Sequence, residues 1–269
     1  MIGGDQRALS LEKLLLEDEY EVSTLGLHPG DEEKAEVSQA EALLFPYPFA
    51  VRRDCVPAIS GLTIHPEDVL ALARPGVPVL AGRGMEAYIQ RDHPLQKYEQ
   101  SEKLLEQNAA ISAEAALWES MRYTEKALMD MQVLITGYGL FGRALALRFL
   151  LMGAAVCVAA RRQEVRRLAA EDGMQPLAFE EMDDALRNVD LVLNTVPARV
   201  LEERHLRMLR PGVPLLELAS APYGFDRDVA AALGHPCEVL TALPARYAPL
   251  SAAMALRNAV NQLLQEGHS

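Results

Sequence analysis

The chain is short of cysteine. It has three in 269 residues, Cys55, Cys157 and Cys237, an odd number with no C-x-x-C pair. That pattern argues against a disulfide framework and against a thiolate zinc site. Cys157 lies in the apolar run Ala154–Val158 and reads as a buried, inert thiol. The histidines, His28, His65, His93, His205, His235 and His268, fall at no ligand spacing and read as loop or surface residues. Positive charge is also scarce: 26 Lys and Arg against 38 Asp and Glu give a formal charge of −12. Such a chain is repelled by nucleic-acid phosphate and by anionic membranes, so an anionic ligand must be met by a local basic pocket. No apolar run reaches the ~20 residues of a membrane span, and no signal peptide is evident, so the expectation is a cytoplasmic protein. Neither a Ser-His-Asp order nor a G-x-S-x-G elbow suggests a hydrolase.

What is present is a rhythm. From residue 131 onward, short apolar segments alternate with helical ones. Strands are expected at Met131–Thr136, Ala154–Ala160, Pro176–Phe179, Val189–Val196, Pro214–Ser220 and Cys237–Leu240. Helices are expected at Leu140–Met152, Gln163–Asp172, Glu180–Asn188, Leu201–Leu209 and Arg227–Leu233. This alternation predicts an α/β fold with a parallel sheet covered on both faces. The first ~110 residues carry a weaker rhythm. Strand candidates there are Glu21–Leu25, Ala42–Phe45 and Pro78–Leu80, and helical ones are Leu9–Leu16 and Pro66–Ala73. Residues 1–111 are expected to form a smaller α/β substrate domain, and 112–249 the larger domain. Two residues precede the Gly3-Gly4 pair, so the first strand is expected to be clipped. Two long helices are expected to link the domains. One is Ser112–Met129, capped by Ser112. The other is Ser251–Gln265, within a 250–269 segment that returns to the first domain.

The motif Gly137-Tyr138-Gly139-Leu140-Phe141-Gly142 follows an apolar strand and opens a helix. In that context Gly137 allows a tight turn, Gly139 lets a pyrophosphate approach the backbone, and Gly142 lets helix and strand pack closely. The helix start then offers N–H groups to phosphate. An NAD site places a carboxylate about 20 residues on, at the end of the next strand. Here that end reads Ala160-Arg161-Arg162, with Arg166 and Arg167 a turn later. Guanidiniums there suit the 2′-phosphate of NADP. Asn194, Thr195 and Pro197 end one later strand, and Ala219 and Ser220 end another, so both should border the nicotinamide. Asp5 and Arg7, Arg83 in Ala81-Gly82-Arg83-Gly84, and Ser220 with the loop after it are candidates for holding a substrate carboxylate. The stretch Leu243–Ser251 lacks the catalytic histidine that a 2-hydroxy-acid dehydrogenase would need, and no catalytic residue is assigned.

Several blocks together resemble the dipicolinate synthase family, in its first, dinucleotide-binding subunit. They are Ile2-Gly3-Gly4-Asp5-x-Arg7, Asn108-x3-Ser112-x-Glu114, the glycine turn, Ala160-Arg161, Asn194-Thr195-x-Pro197, Leu218-Ala219-Ser220-x-Pro222-x-Gly224-x-Asp226 and Leu243-Pro244-x4-Ala248-Pro249. The resemblance spans nearly the whole chain. It implies a Rossmann-like NADP-dependent oxidoreductase that oxidises dihydrodipicolinate to dipicolinate in the mother-cell cytoplasm of endospore formers. It further implies a small dicarboxylate substrate and, as partner, a flavoprotein-like second subunit of the synthase. A homo-oligomer is expected, with the exposed face of Ser112–Met129 as candidate surface. Where the family carries basic residues, this chain has Ala221 and Leu250. Two further readings therefore stay open: an NADP-dependent oxidoreductase for another small carboxylic acid, and a non-catalytic NADP-binding subunit.

Overall fold

A computed structural model describes residues 1–31, 34–49, 54–89 and 92–266; His268 lies outside them. They form two compact units, Met1–Asn108 with the segment from Pro244 onward, and Ala109–Leu243. Among the described residues no helix is long and apolar enough to cross a membrane.

In the first unit, α1 (Gln6–Glu17) starts at Asp5, whose side chain accepts the Arg7 N–H. Its buried stripe is Arg7, Leu11 and Leu15, at i, i+4 and i+8. β1 (Leu43–Leu44), α2 (Pro66–Leu72), β2 (Val79–Ala81) and β3 (Leu95–Lys97) follow, and the strands form a parallel sheet in the order β1-β2-β3. β3 escaped the sequence reading because Leu-Gln-Lys is short, polar and only partly buried. The expected strand at Glu21–Leu25 reduces to one bridge, Ile2 to Leu25. Gly3 and Gly4, at φ +56° and +131°, turn the chain away before a ladder can grow.

α3 (Glu102–Ser120) starts ten residues before the expected cap and stops well short of Met129. Ser101, not Ser112, caps it, its hydroxyl accepting the Leu104 N–H at 3.4 Å. Helix-forming residues run without Gly or Pro from Glu102, so Ser112 is absorbed into the interior.

The second unit alternates strand and helix. β4 (Gln132–Thr136), α4 (Leu140–Leu151), β5 (Ala155–Ala159), α5 (Gln163–Glu171) and β6 (Gln175–Leu177) come first. α6 (Asp183–Leu186), β7 (Leu191–Asn194), α7 (Glu203–Leu206), β8 (Leu215–Glu217), α8 (Arg227–Ala232) and β9 (Cys237–Val239) complete it. All six strands are parallel, in the order β6-β5-β4-β7-β8-β9. This is the doubly wound Rossmann order, whose direction of growth reverses between β4 and β7. Val133, Leu134 and Ile135 of β4 are fully buried, as strands covered on both faces require.

The chain then forms α9 (Leu243–Tyr247) and α10 (Pro249–Glu266). α10 packs along α1 in the first unit, Ala253, Leu256, Ala259, Val260 and Leu263 sharing a core with Leu11 and Leu15. Arg257 closes that contact, donating to Asp18 at 2.5 Å, beside an Asn261 bond to the same carboxylate at 3.0 Å.

Candidate functional site

The glycine turn joins β4 to α4, and each glycine has its own reason. Gly137 sits at φ +90°, where a Cβ would come within 2.5 Å of Thr195 Oγ1. At Gly142 a Cβ would lie 2.5 Å from the Gly137 carbonyl oxygen, so helix and turn touch there. Gly139 caps α4, and nothing stands within 4 Å of the place its Cβ would take. Two glycines are thus demanded by the protein itself, while the third leaves open space at a helix N-terminus. Leu140 is exposed and Phe141 half-buried beside that opening. Thr195 Oγ1 donates to the Thr136 carbonyl at 2.7 Å, so this hydroxyl fixes the turn from behind.

A polar layer crosses the carboxyl edge of the sheet. Thr136, Asn194 and Glu217 are in register on β4, β7 and β8, and all three are fully buried. Thr136 Oγ1 donates to Asn194 Oδ1 at 2.5 Å. Asn194 Nδ2 donates to Glu217 Oε1 at 2.6 Å and to the Val196 carbonyl at 2.9 Å. Glu217 also accepts the Ala219 N–H at 2.9 Å and the Gly224 N–H at 2.8 Å. Burial pushes its carboxyl above the usual range, and the Asn194, Gly224 and Ala219 donors pull it back. Asn194 therefore makes its bonds inside the protein and supports the site from beneath, rather than facing a ligand as expected. Pro197 and Ser220 are exposed and Ala219 is buried.

At the end of β5, Arg161 and Arg162 are exposed. Arg162 lies 3.6 Å from Glu164, whereas Arg161 makes no ion pair among the described residues. Arg166 turns inward and donates to the Ala160 and Arg161 carbonyls at 2.9 and 2.7 Å, stapling the strand end. Arg167 stands 3.5 Å from Glu171.

In the first unit, Arg7 is 8% exposed and forks onto Asp5 (2.9 and 2.6 Å). Asp5, Arg7 and Tyr47 line one small cavity with Gly3, Gly4 and Phe45. The exposed Arg83 donates its backbone N–H to Glu99 at 2.9 Å. Tyr47 was not singled out in the sequence. Burial and the Glu99 charge raise its hydroxyl pKa, while Arg7 and Arg83 oppose the shift. Asp5, Arg7, Tyr47 and Arg83 thus gather in this unit, and Ser220 belongs to the other.

Comparison with known proteins fits this geometry. Residues 97–235 match the family model described as D-isomer specific 2-hydroxyacid dehydrogenase, NAD binding domain. The chain belongs to that family. It is 24% identical over 99% of its length, and 95% of the relative's, to the first subunit of dipicolinate synthase from Bacillus subtilis (strain 168). The crystal structure of the corresponding dipicolinate synthase chain from Bacillus halodurans superposes with a TM-score of 0.87 at 25% identity, covering 98% of this chain and 96% of that one. A transhydrogenase from Sinorhizobium meliloti shares the fold at a TM-score of 0.71 and 17% identity, covering 99% and 94%.

As a member of this oxidoreductase family, the chain carries a domain for a nicotinamide dinucleotide. The residues fit such a group. Gly139 leaves the cradle that a Cβ would fill, and the twelve-residue α4 presents its free N–H groups there. The family match ends at residue 235, before the histidine-free Leu243–Ser251 stretch. Two histidines expected at the surface are buried instead. His205 accepts the Glu202 N–H at 2.9 Å, and His235 bridges the Val213 and Leu206 carbonyls at 3.1 Å each. His235 reaches carbonyls 22 and 29 residues away in sequence, a tertiary effect with no local signature. Glu217 escaped the sequence reading because its partners come from another strand and a later loop. The only local signal was an acidic residue inside the apolar run Pro214–Ser220.

Proposed function

We propose that the chain is an NADP-dependent dehydrogenase that oxidises dihydrodipicolinate to dipicolinate. It would work with a flavoprotein-like second subunit, since its relatives are named as one subunit of a synthase. Its setting would be the cytoplasm of a spore-forming cell. The observation that carries this reading is likeness to dipicolinate synthase over 99% of the chain, with the glycine turn intact. Support for NADP over NAD comes from the end of β5, where the Arg161 and Arg162 guanidiniums stand in place of a carboxylate.

The residues divide the work by chemistry. Gly137, Gly139, Leu140, Phe141 and Gly142 would hold the pyrophosphate, and Arg161 and Arg162 the 2′-phosphate. Thr195, Pro197 and Ala219 would border the ring, with Asn194 behind them. A nicotinamide bound there would supply the hydride acceptor for the dihydropyridine-type ring, whose second hydrogen would leave as a proton to water, with aromatisation as the driving force. Arg7 and Arg83, with Tyr47 beside them, would meet the substrate carboxylates in the first unit. Asp5 would keep the Arg7 fork oriented.

The test is coupled. The dihydrodipicolinate precursor is generated in situ, the protein and NADP are added, and dipicolinate and NADPH are followed together, with and without a candidate second subunit. Equal rates of appearance support the proposal. NADP binding without product in either condition favours another small carboxylic acid as substrate, a reading that the exposed Ala221 and Leu250 would suit.

A further inference from the structure

We propose that Glu217 is a positioning residue for the nicotinamide half of the cofactor, acting through the Leu218–Gly224 loop; the inference rests on reading this edge of the sheet as the dinucleotide site. Glu217 ends β8 as a fully buried carboxylate. Its hydrogen-bond partners here are all donors: the Asn194 amide from β7 and the Ala219 and Gly224 N–H groups from the loop itself. A carboxylate takes its place in an apolar strand only at a desolvation cost, which these donors offset. An apolar side chain of similar size would fill the same volume and leave the loop's N–H groups unpaired.

The loop is pinned at two points along its length, and its far end presses on Asn194. Gly224 has no room for a Cβ, which would overlap the Asn194 amide. Its carbonyl also accepts the Val200 and Leu201 N–H groups at 2.9 Å, which ties the loop after β8 to the one after β7. Asn194 is in turn held by Thr136, whose carbonyl anchors Thr195 behind the glycine turn. One chain of bonds thus runs from the turn after β4, through β7, to the loop after β8. In sheets of this order ligands lie beyond the carboxyl ends of the strands, where the order reverses. Glu217 sets the backbone on the far side of that crevice without reaching it.

Shape alone does not replace this residue. In Glu217→Gln one terminal oxygen becomes an NH2 group, which must face either the Gly224 N–H or the Asn194 and Ala219 donors. The loop should shift while the glycine turn and the β5 end stay in place.

The experiment compares two ligands on the intact protein, NADP+ and 2′-phospho-ADP-ribose, which lacks only the nicotinamide ring. Affinities are measured by calorimetry for wild type and Glu217→Gln, with a melting curve for each. The expected result is a loss of roughly tenfold for NADP+, the size of one charged hydrogen bond, with 2′-phospho-ADP-ribose unchanged. An equal fall for both ligands, or no fall for either, overturns the positioning role. If Glu217→Gln does not fold, Thr136→Val keeps the shape and removes only the hydroxyl bond to Asn194. It should show the same split in milder form, and its absence there overturns the proposal. A wild-type protein that binds neither ligand, nor the NAD+ and ADP-ribose pair, defeats the cofactor reading itself.

Discussion

The Tyr138 hydroxyl donates to Asp172 Oδ2 at 2.8 Å, tying the middle of the glycine turn to the C-terminal cap of α5. Arg143 of α4 forks onto the same carboxylate at 2.7 and 3.0 Å. Asp172 thus locks the turn against both neighbouring helices. The Arg143 guanidinium, then the Tyr138 hydroxyl, hold its carboxyl below the ordinary 3.8. Its stabilisation is therefore complete above that value and is lost as pH falls through the lower native one. Asp172→Asn should cost about 1 kcal/mol near neutrality, since the pair is partly exposed. The difference from wild type should vanish in strong acid. Urea midpoints measured from neutral pH downward test this, and a gap that persists in acid would contradict it.

Two glycines of the turn, Gly142 and Gly139, should separate folding from binding. Gly142→Ala drives a methyl into the Gly137 carbonyl and should destabilise the second unit by about 1–3 kcal/mol. Gly139→Ala meets nothing in the protein. It should leave the melting temperature unchanged and weaken the dinucleotide at least tenfold, the effect of roughly 1.4 kcal/mol. Thermal scans paired with cofactor titrations decide the matter, and equal stability losses would refute the division of roles.

Arg161→Ala combined with Arg162→Ala should weaken NADP far more than NAD. A lost charged contact is worth about 1.5–3 kcal/mol. Arg161 should carry most of it, because Arg162 already has Glu164 nearby. Equal losses for the two cofactors would remove the 2′-phosphate role.

Arg83→Ala and Arg7→Ala should each raise KM for a dicarboxylate substrate roughly tenfold and leave cofactor affinity alone. Steady-state kinetics with cofactor saturating is the check. Arg7→Ala also strips Asp5 of its fork, so a small stability loss should accompany that variant only.

Much of the second unit was legible because its signals are local. Apolar runs of strand length alternate with helical segments, and a glycine turn between β4 and α4 has steric demands that the residue type itself meets. The parallel pairing followed from the same rhythm. Element boundaries were less legible. Ser112 carries a capping residue type, yet a helix already nucleated at Ser101 runs through it, because continuing costs less than restarting.

The sequence by itself determined the α/β class, the glycine turn and the exposed arginine pair at the end of β5, since each depends on neighbours within a few residues. Only the tertiary structure decided what Glu217, Asn194, Arg166 and Tyr47 do. Glu217 and Asn194 are 23 residues apart and meet because β7 and β8 pair in register. Arg166, which in the sequence only adds charge a turn after the Arg161-Arg162 pair, becomes a staple because two backbone carbonyls lie within its reach. A side chain's role at such places is set by which donors and acceptors the fold brings within hydrogen-bond distance, and that information lies in the pairing of strands rather than in any stretch of chain.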